Sequence, residues 1–139
     1  VKWKKVERTI YPADIYFVQG GTPKELAKKL RRLRLRPDED IEKKAKERGQ
    51  ALGWTLKMTT HDGKFAILVW VKGCKRNARD VCIVAHECLH ATYYIFEYIG
   101  QRHGAVCYED QECHTYLHDY LVRKALDFYW KPQLNDVSF

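Results

Sequence analysis

The sequence predicts an α+β domain. A small antiparallel or mixed sheet packs against a helix carrying His86-Glu87-Cys88-Leu89-His90 and a second long C-terminal helix. Three observations carry this. Two β-prone runs flank Asp62-Gly63, a strong hairpin signal. Two helical patterns follow, from about Asp80 to Ile99 and from about Asp110 to Tyr129. A chain of 139 residues, with no internal repeat or linker, suits one domain over 1–139.

The elements follow in chain order. Residues 8–19 hold Ile10, Ile15, Tyr16, Phe17 and Val18, a β-prone run after Pro12 that ends at Gly20-Gly21. Thr22-Pro23-Lys24-Glu25 starts a helix: Thr22 caps, Pro23 fits the first helical position and Glu25 can close a capping box. Leu26, Leu30 and Leu33 give its apolar stripe, and Pro37 interrupts it. The charged residues 38–48 suggest a second, surface helix. Trp54, Leu56 and Met58 alternate with polar residues, as in a half-buried strand. After the Asp62-Gly63 turn, Lys64–Val71 is apolar on both faces and belongs inside the fold or against a helix. The first long helix is unusually apolar and ends at Gly100. The last has Asp110 as its expected N-cap and stops near Pro132.

Composition narrows the class. No apolar run approaches the ~20 residues of a membrane span, so no membrane partner is expected. The charged start, Val1 to Lys5, lacks the apolar core of a signal peptide. Cys74, Cys82, Cys88, Cys107 and Cys113 are odd in number and form no Cys-x-x-Cys unit, so reduced thiols and a cytoplasmic location are expected. The formal net charge is +7, and Lys24, Lys28, Lys29, Arg31, Arg32, Arg34 and Arg36 crowd one segment. Such a stretch can meet nucleic acid, but no nucleic-acid fold motif accompanies it, and a solvated helix face is the preferred reading.

His86-Glu87-Cys88-Leu89-His90 is an HExxH motif. Residues four apart on a helix lie about 40° apart round the axis, so two imidazoles face one ion. Zinc accepts such nitrogen ligands. Glu87 points to the adjoining side, where a carboxylate can take a proton from a metal-bound water and return it to a leaving amine. Chance alone gives this motif about once or twice in a hundred shuffles of the composition. Context adds weight: Glu87 is the one charged residue between Val81 and Phe96, and burying such groups without partners is costly.

A catalytic zinc needs a third protein ligand and an open position. A metzincin needs Gly at position 93 and His at position 96; here they are Tyr93 and Phe96. The downstream candidates are Glu109, Asp110, Glu112, His114 and His118. Glu112 is the best choice, in the first turn of the last helix after a linker long enough to reverse direction. His114 and His118 also have ligand spacing, but lie about 200–240° round the helix from Glu112. They are read first as core-edge or surface residues.

Ile83 to Ala91, then Ile99-Gly100, Asp110-Gln111-Glu112 and Tyr116 to Leu121, resemble small zincin-like proteins encoded by bacteriophages and prophages. The resemblance covers about residues 80–125; Asp14 to Gly21 resembles the family's first strand more weakly. It implies a minimal zincin-like fold, a zinc cofactor, Glu112 as third ligand in the gluzincin manner, and the cytoplasm of a bacterial host. Thermolysin-like gluzincins have Asp four residues after the third ligand; this chain has Tyr116. Support for the histidines must then come from elsewhere, such as Asp119 or a backbone carbonyl. Tyr116 is either a hydrogen-bond donor to an oxyanion or a packing residue.

The expected activity is a zinc metallopeptidase acting on a protein or peptide, with Glu87 as general base. Zincin substrates usually add to an edge strand above the active helix, and part of Lys64–Val71 is the candidate here. Two alternatives stand beside it: a non-catalytic zinc-binding interaction module, and a nucleic-acid-associated protein using the basic 24–36 segment.

Overall fold

The computed structural model describes residues 1–6, 13–100 and 110–131. Its elements run β1 (Lys2–Val6), β2 (Asp14–Gln19), α1 (Pro23–Arg32), β3 (Arg36–Pro37), α2 (Ile41–Arg48), β4 (Gly53–Thr59), β5 (Phe65–Val71), α3 (Ala78–Tyr98) and α4 (Asp110–Tyr129). The strands form one mixed sheet in the order β1-β2-β5-β4-β3. β2 and β5 run parallel, with Phe17 opposite Val69, and the other neighbours are antiparallel. The chain is therefore α+β, with the mixed form of sheet.

The hairpin closes where Asp62-Gly63 places it. Thr60 N–H donates to Lys64 O (2.8 Å) and Gly63 N–H to Thr60 O (3.0 Å), with Gly63 at φ 79°. Its second strand, β5, is the centre of the sheet and apolar on both faces, as its composition demands. Ile15, Phe17, Ile67, Val69 and Val71 face α3 and α4, where Val84, Cys88, Ala91, Ile95, Leu117 and Leu121 meet them. Tyr16, Val18, Trp54, Leu56, Met58 and Leu68 face α1 and α2, where Leu26, Leu30 and Ile41 meet them. The period of two along each strand thus feeds two separate cores.

Three details depart from the sequence reading. Lys2–Val6 is an edge strand, not merely a charged start; its lysines suit an exposed sheet edge. The third apolar residue of the α1 stripe is Leu35, buried, and not Leu33, which is 41% exposed. The helix stops first, in a Schellman turn: Arg34 N–H donates to Arg31 O and Leu35 N–H to Leu30 O, which swings Leu35 back onto Leu30. Arg34 stands at the left-handed position, φ 55°, where glycine is usual. Finally, Lys64–Val71 is no edge. β5 is paired on both sides, so a substrate strand cannot add to it.

The expected cap of α1 is present, Thr22 accepting from Glu25 N–H, and Asp40 caps α2 by accepting from Lys43 N–H. Asp110, expected as the cap of α4, is instead the first residue of that helix. Lys2 binds the carbonyls of Phe128, Tyr129 and Lys131 at the C-terminal end of α4, which has no basic residue in its own last turn. Cys74 and Cys88 are buried, Cys82 and Cys113 exposed, and all four are free; Cys107, Ile10 and Pro132 lie outside the described residues. No helix among the described residues is long and apolar enough to cross a membrane.

Candidate metal centre and active site

Helix α3 begins where Asn77 accepts from Asp80 N–H (2.9 Å) and ends at Ile99, before Gly100 at φ 82°. Its apolar side settles on β5 and α4. This puts position 87 against β4 and leaves positions 86 and 90 on the outer side. His86 and His90 are exposed, while Glu87 is 8% exposed. The helical spacing brings the two imidazoles together: Nε2 of His86 lies 3.1 Å from Nε2 of His90, with the rings nearly perpendicular. Two nitrogens held about 2.0–2.1 Å from a tetrahedral zinc stand about 3.3 Å apart. The pair therefore matches two corners of such a site. The same 3.1 Å also suits an N–H···N hydrogen bond between the rings, in which one donates.

Glu87 is held from the sheet. Thr55 Oγ1 lies 2.6 Å from Glu87 Oε2 and 2.9 Å from Glu87 O, the nearer contact being charge-assisted. Both residues are buried, so the hydroxyl supplies a donor where water has little access. Two residues earlier on the same strand face, Gly53 leaves the space that the carboxylate side chain fills. A Cβ there would lie 2.8 Å from Glu87 Cγ and 3.0 Å from both Glu87 Oε1 and Ile83 Cγ2. Further along, Lys57 Nζ sits 5.1 Å from the centre of the Tyr94 ring, and Tyr94 stacks near His90 at 6.3 Å. Strand β4 thus meets α3 at Ile83, Glu87 and Tyr94. From Gly53 to Leu56 no strand pairs with its outer edge among the described residues, since β3 reaches only Met58 and Thr59.

The other candidates sit on α4. Glu112 is exposed in its first turn, and Tyr116, one turn later, is 70% exposed. His114 stacks on Phe96 at 3.9 Å between ring centres and lies tilted near Tyr93. His118 Nε2 lies 2.9 Å from Ala85 O, so that nitrogen donates across the two helices beside the motif. This engages His118 as a cross-helix tie. Asp119 is exposed, and Glu109 lies outside the described residues. Among the described residues, no group of three or more His, Cys, Asp or Glu side chains gathers to hold a metal. The structure brings the His86 and His90 nitrogens together and turns Glu87, between them in the chain, to Thr55 of β4. Glu112 forms no three-donor group with them among the described residues.

No family model, curated protein or solved structure matches the chain.

Sequence reasoning missed Thr55 and Gly53. One signal for Gly53 was present: a glycine inside a strand pattern marks a close approach. For Thr55 there was none, because a threonine on the polar side of an alternating strand looks like any solvent-facing residue. The Cys88 thiol beside Glu87 is fully buried, and burial pushes its ionisation far up.

Proposed function

We propose that this chain is a zinc-dependent hydrolase of peptide bonds, with His86 and His90 as metal ligands and Glu87 as general base. One observation carries the reading: two exposed imidazole nitrogens converge at 3.1 Å on the helix whose residue 87, between them in the chain, is a buried glutamate held by a strand hydroxyl. Glu112 is proposed as the third ligand, and Tyr116, one turn beyond it, as oxyanion donor. The first assignment rests on the place of Glu112 in the first turn of α4 and on the resemblance of residues 80–125 to phage and prophage zincin-like proteins. The second rests on Tyr116 standing where thermolysin-like gluzincins have Asp, with packing as its other reading. Four free thiols support a reducing, cytoplasmic setting.

When bound, zinc supplies an acidified water and a Lewis acid for the scissile carbonyl. The rest belongs to the chain. Glu87 accepts the proton of the attacking water and delivers it to the departing amine. Thr55 fixes one carboxylate oxygen, and the other, Oε1, lies over Gly53 on the same strand. Gly53 to Leu56 offer an open strand edge next to Glu87, and an extended peptide adding there lies alongside the motif. β4 thus takes the substrate role first assigned to Lys64–Val71.

Glu87→Gln tests the reading. It keeps size and polarity but removes the basic carboxylate, so zinc content and melting temperature should stay near the parent's. Cleavage of any substrate found by screening lysate proteins should fall about 100-fold or more. Full activity in the variant rules out the mechanism. The lack of a third gathered donor among the described residues favours a second reading, a zinc-binding interaction module. Bound zinc with no cleavage by the parent selects it.

A further inference from the structure

The proposed hydrolytic site leaves the most basic part of the surface without a role. Six of the basic side chains of segment 24–36 are exposed: Lys24, Lys28, Arg31, Arg32, Arg34 and Arg36. Lys24, Lys28 and Arg31 stand at i, i+4 and i+7 of α1, a stripe spanning about 10 Å on the side away from buried Leu26 and Leu30. Among the described residues the ion pairs are Lys5–Asp14, Lys44–Glu47 and Lys64–Asp62, and none uses these six. The one acidic residue within the helix, Glu25, is engaged with Thr22 at the cap. Of the acidic run that follows, Asp40 caps α2, and Glu39, Asp40 and Glu42 line a groove between α1 and α2 that Arg31 also borders. Among the described residues that run therefore flanks the stripe at Arg31 and leaves it clear at Lys24 and Lys28.

A second observation is independent of charge. Arg34 is the one non-glycine residue with positive φ among the described residues. Glycine would relieve that conformation, so an arginine there keeps a cation at a conformational cost.

We propose that this face of α1 binds the phosphate backbone of a nucleic-acid duplex, independently of base sequence. The segment contains no aromatic residue on which unpaired bases could stack, which disfavours a single strand. Its apolar face is already buried against the sheet, so it cannot insert into a bilayer. A rigid row of cations suits regularly spaced phosphates. α1 and α3 lie on opposite faces of the sheet, so a bound duplex leaves His86, Glu87 and His90 free.

Fluorescence anisotropy with a fluorescein-labelled 20-base-pair DNA duplex tests this, over about 50 to 200 mM KCl. Four to six phosphate contacts predict a log–log salt slope between about −3.5 and −5.5. Lys28→Glu with Arg32→Glu should weaken binding at least about tenfold, and Lys28→Gln with Arg32→Gln should do so to a smaller extent while leaving the helix end less perturbed. Arg123→Glu with Lys131→Glu makes the same change of net charge on the far side and should stay within about threefold of the parent. Equal losses in the two charge-reversal pairs would reduce the effect to net charge and overturn the proposal. So would no binding at 50 mM KCl, or tighter binding to a single-stranded 20-mer or to phosphatidylserine vesicles than to the duplex. His86→Ala should bind the duplex as the parent does, which separates this result from the fate of the zinc reading.

Discussion

Replacing Thr55 by valine removes a hydroxyl and keeps the shape of the side chain. That hydroxyl lies 2.6 Å from Oε2 of Glu87, a carboxylate that is 8% exposed. A hydrogen bond to a charged group contributes about 1.5–3 kcal/mol, and a buried oxygen left without its donor loses about that much. A chain of this length unfolds with an entropy of about 0.3 kcal/mol per degree, so the melting temperature should fall by about 5–10 °C. Calorimetry of the metal-free protein measures this apart from any effect of zinc. Thr55→Ser, which keeps the donor, should recover most of the loss. A double-mutant cycle with Glu87→Gln should show coupling of about 1 kcal/mol or more, because a neutral amide oxygen is the weaker acceptor. A Thr55→Val protein melting within about 1 °C of the parent, or a cycle with no coupling, would show that the sheet does not hold Glu87 through this bond.

Three further outcomes follow from the same geometry. Gly53→Ala drives a Cβ to 2.8 Å from Glu87 Cγ, and overpacking of about 1–3 kcal/mol should lower the melting temperature by about 3–10 °C in a thermal scan, with zinc content unchanged because neither histidine is touched. Iodoacetamide on the folded protein should label exposed Cys82 and Cys113 and spare buried Cys74 and Cys88, as read by peptide mass spectrometry. Arg34→Gly relieves the left-handed residue after α1 and should raise the melting temperature by about 2–3 °C, a gain of about 0.5–1 kcal/mol after the entropy of glycine in the unfolded chain is set against it.

What was legible in the sequence was local. Thr22, Pro23 and Glu25 mark the start of α1, Asp62-Gly63 the hairpin, and Gly100 the end of α3, because each rests on dihedral preferences or caps that act within a few residues. β5 showed by its apolar residues that both its faces are covered, though not which strands flank it. What was hidden depends on pairing across distance. Nothing in Lys2–Val6 says that it pairs with Asp14–Gln19, and nothing in Phe65–Val71 says that the parallel partner β2 closes its outer side. The edge strand was therefore placed one strand too far in. The Schellman turn that exchanges Leu33 for Leu35 was hidden for a different reason: an arginine occupies the position where a glycine would have announced it.

The site was legible in the same divided way, and the division alters the physical case for it. The motif was first weighed as polar groups buried in an apolar helix, where desolvation demands a reason for them. That demand falls on Glu87 alone. His86 and His90 stand on the exposed side of α3, where two imidazoles incur little desolvation cost, so their presence there says little by itself. Their weight comes from convergence, an approach of two nitrogens that is close to two corners of a tetrahedral ion. Glu87 carries the complementary argument. A charge sunk between a helix and a strand is costly, and the strand answers it with a hydroxyl at one position and an absent side chain two residues earlier. Stability alone would be served at least as well by an apolar residue at position 87 and a larger one at position 53. A carboxylate kept in a fitted recess one residue from two converging imidazoles is therefore the feature that the Glu87→Gln and Thr55→Val variants put to the test.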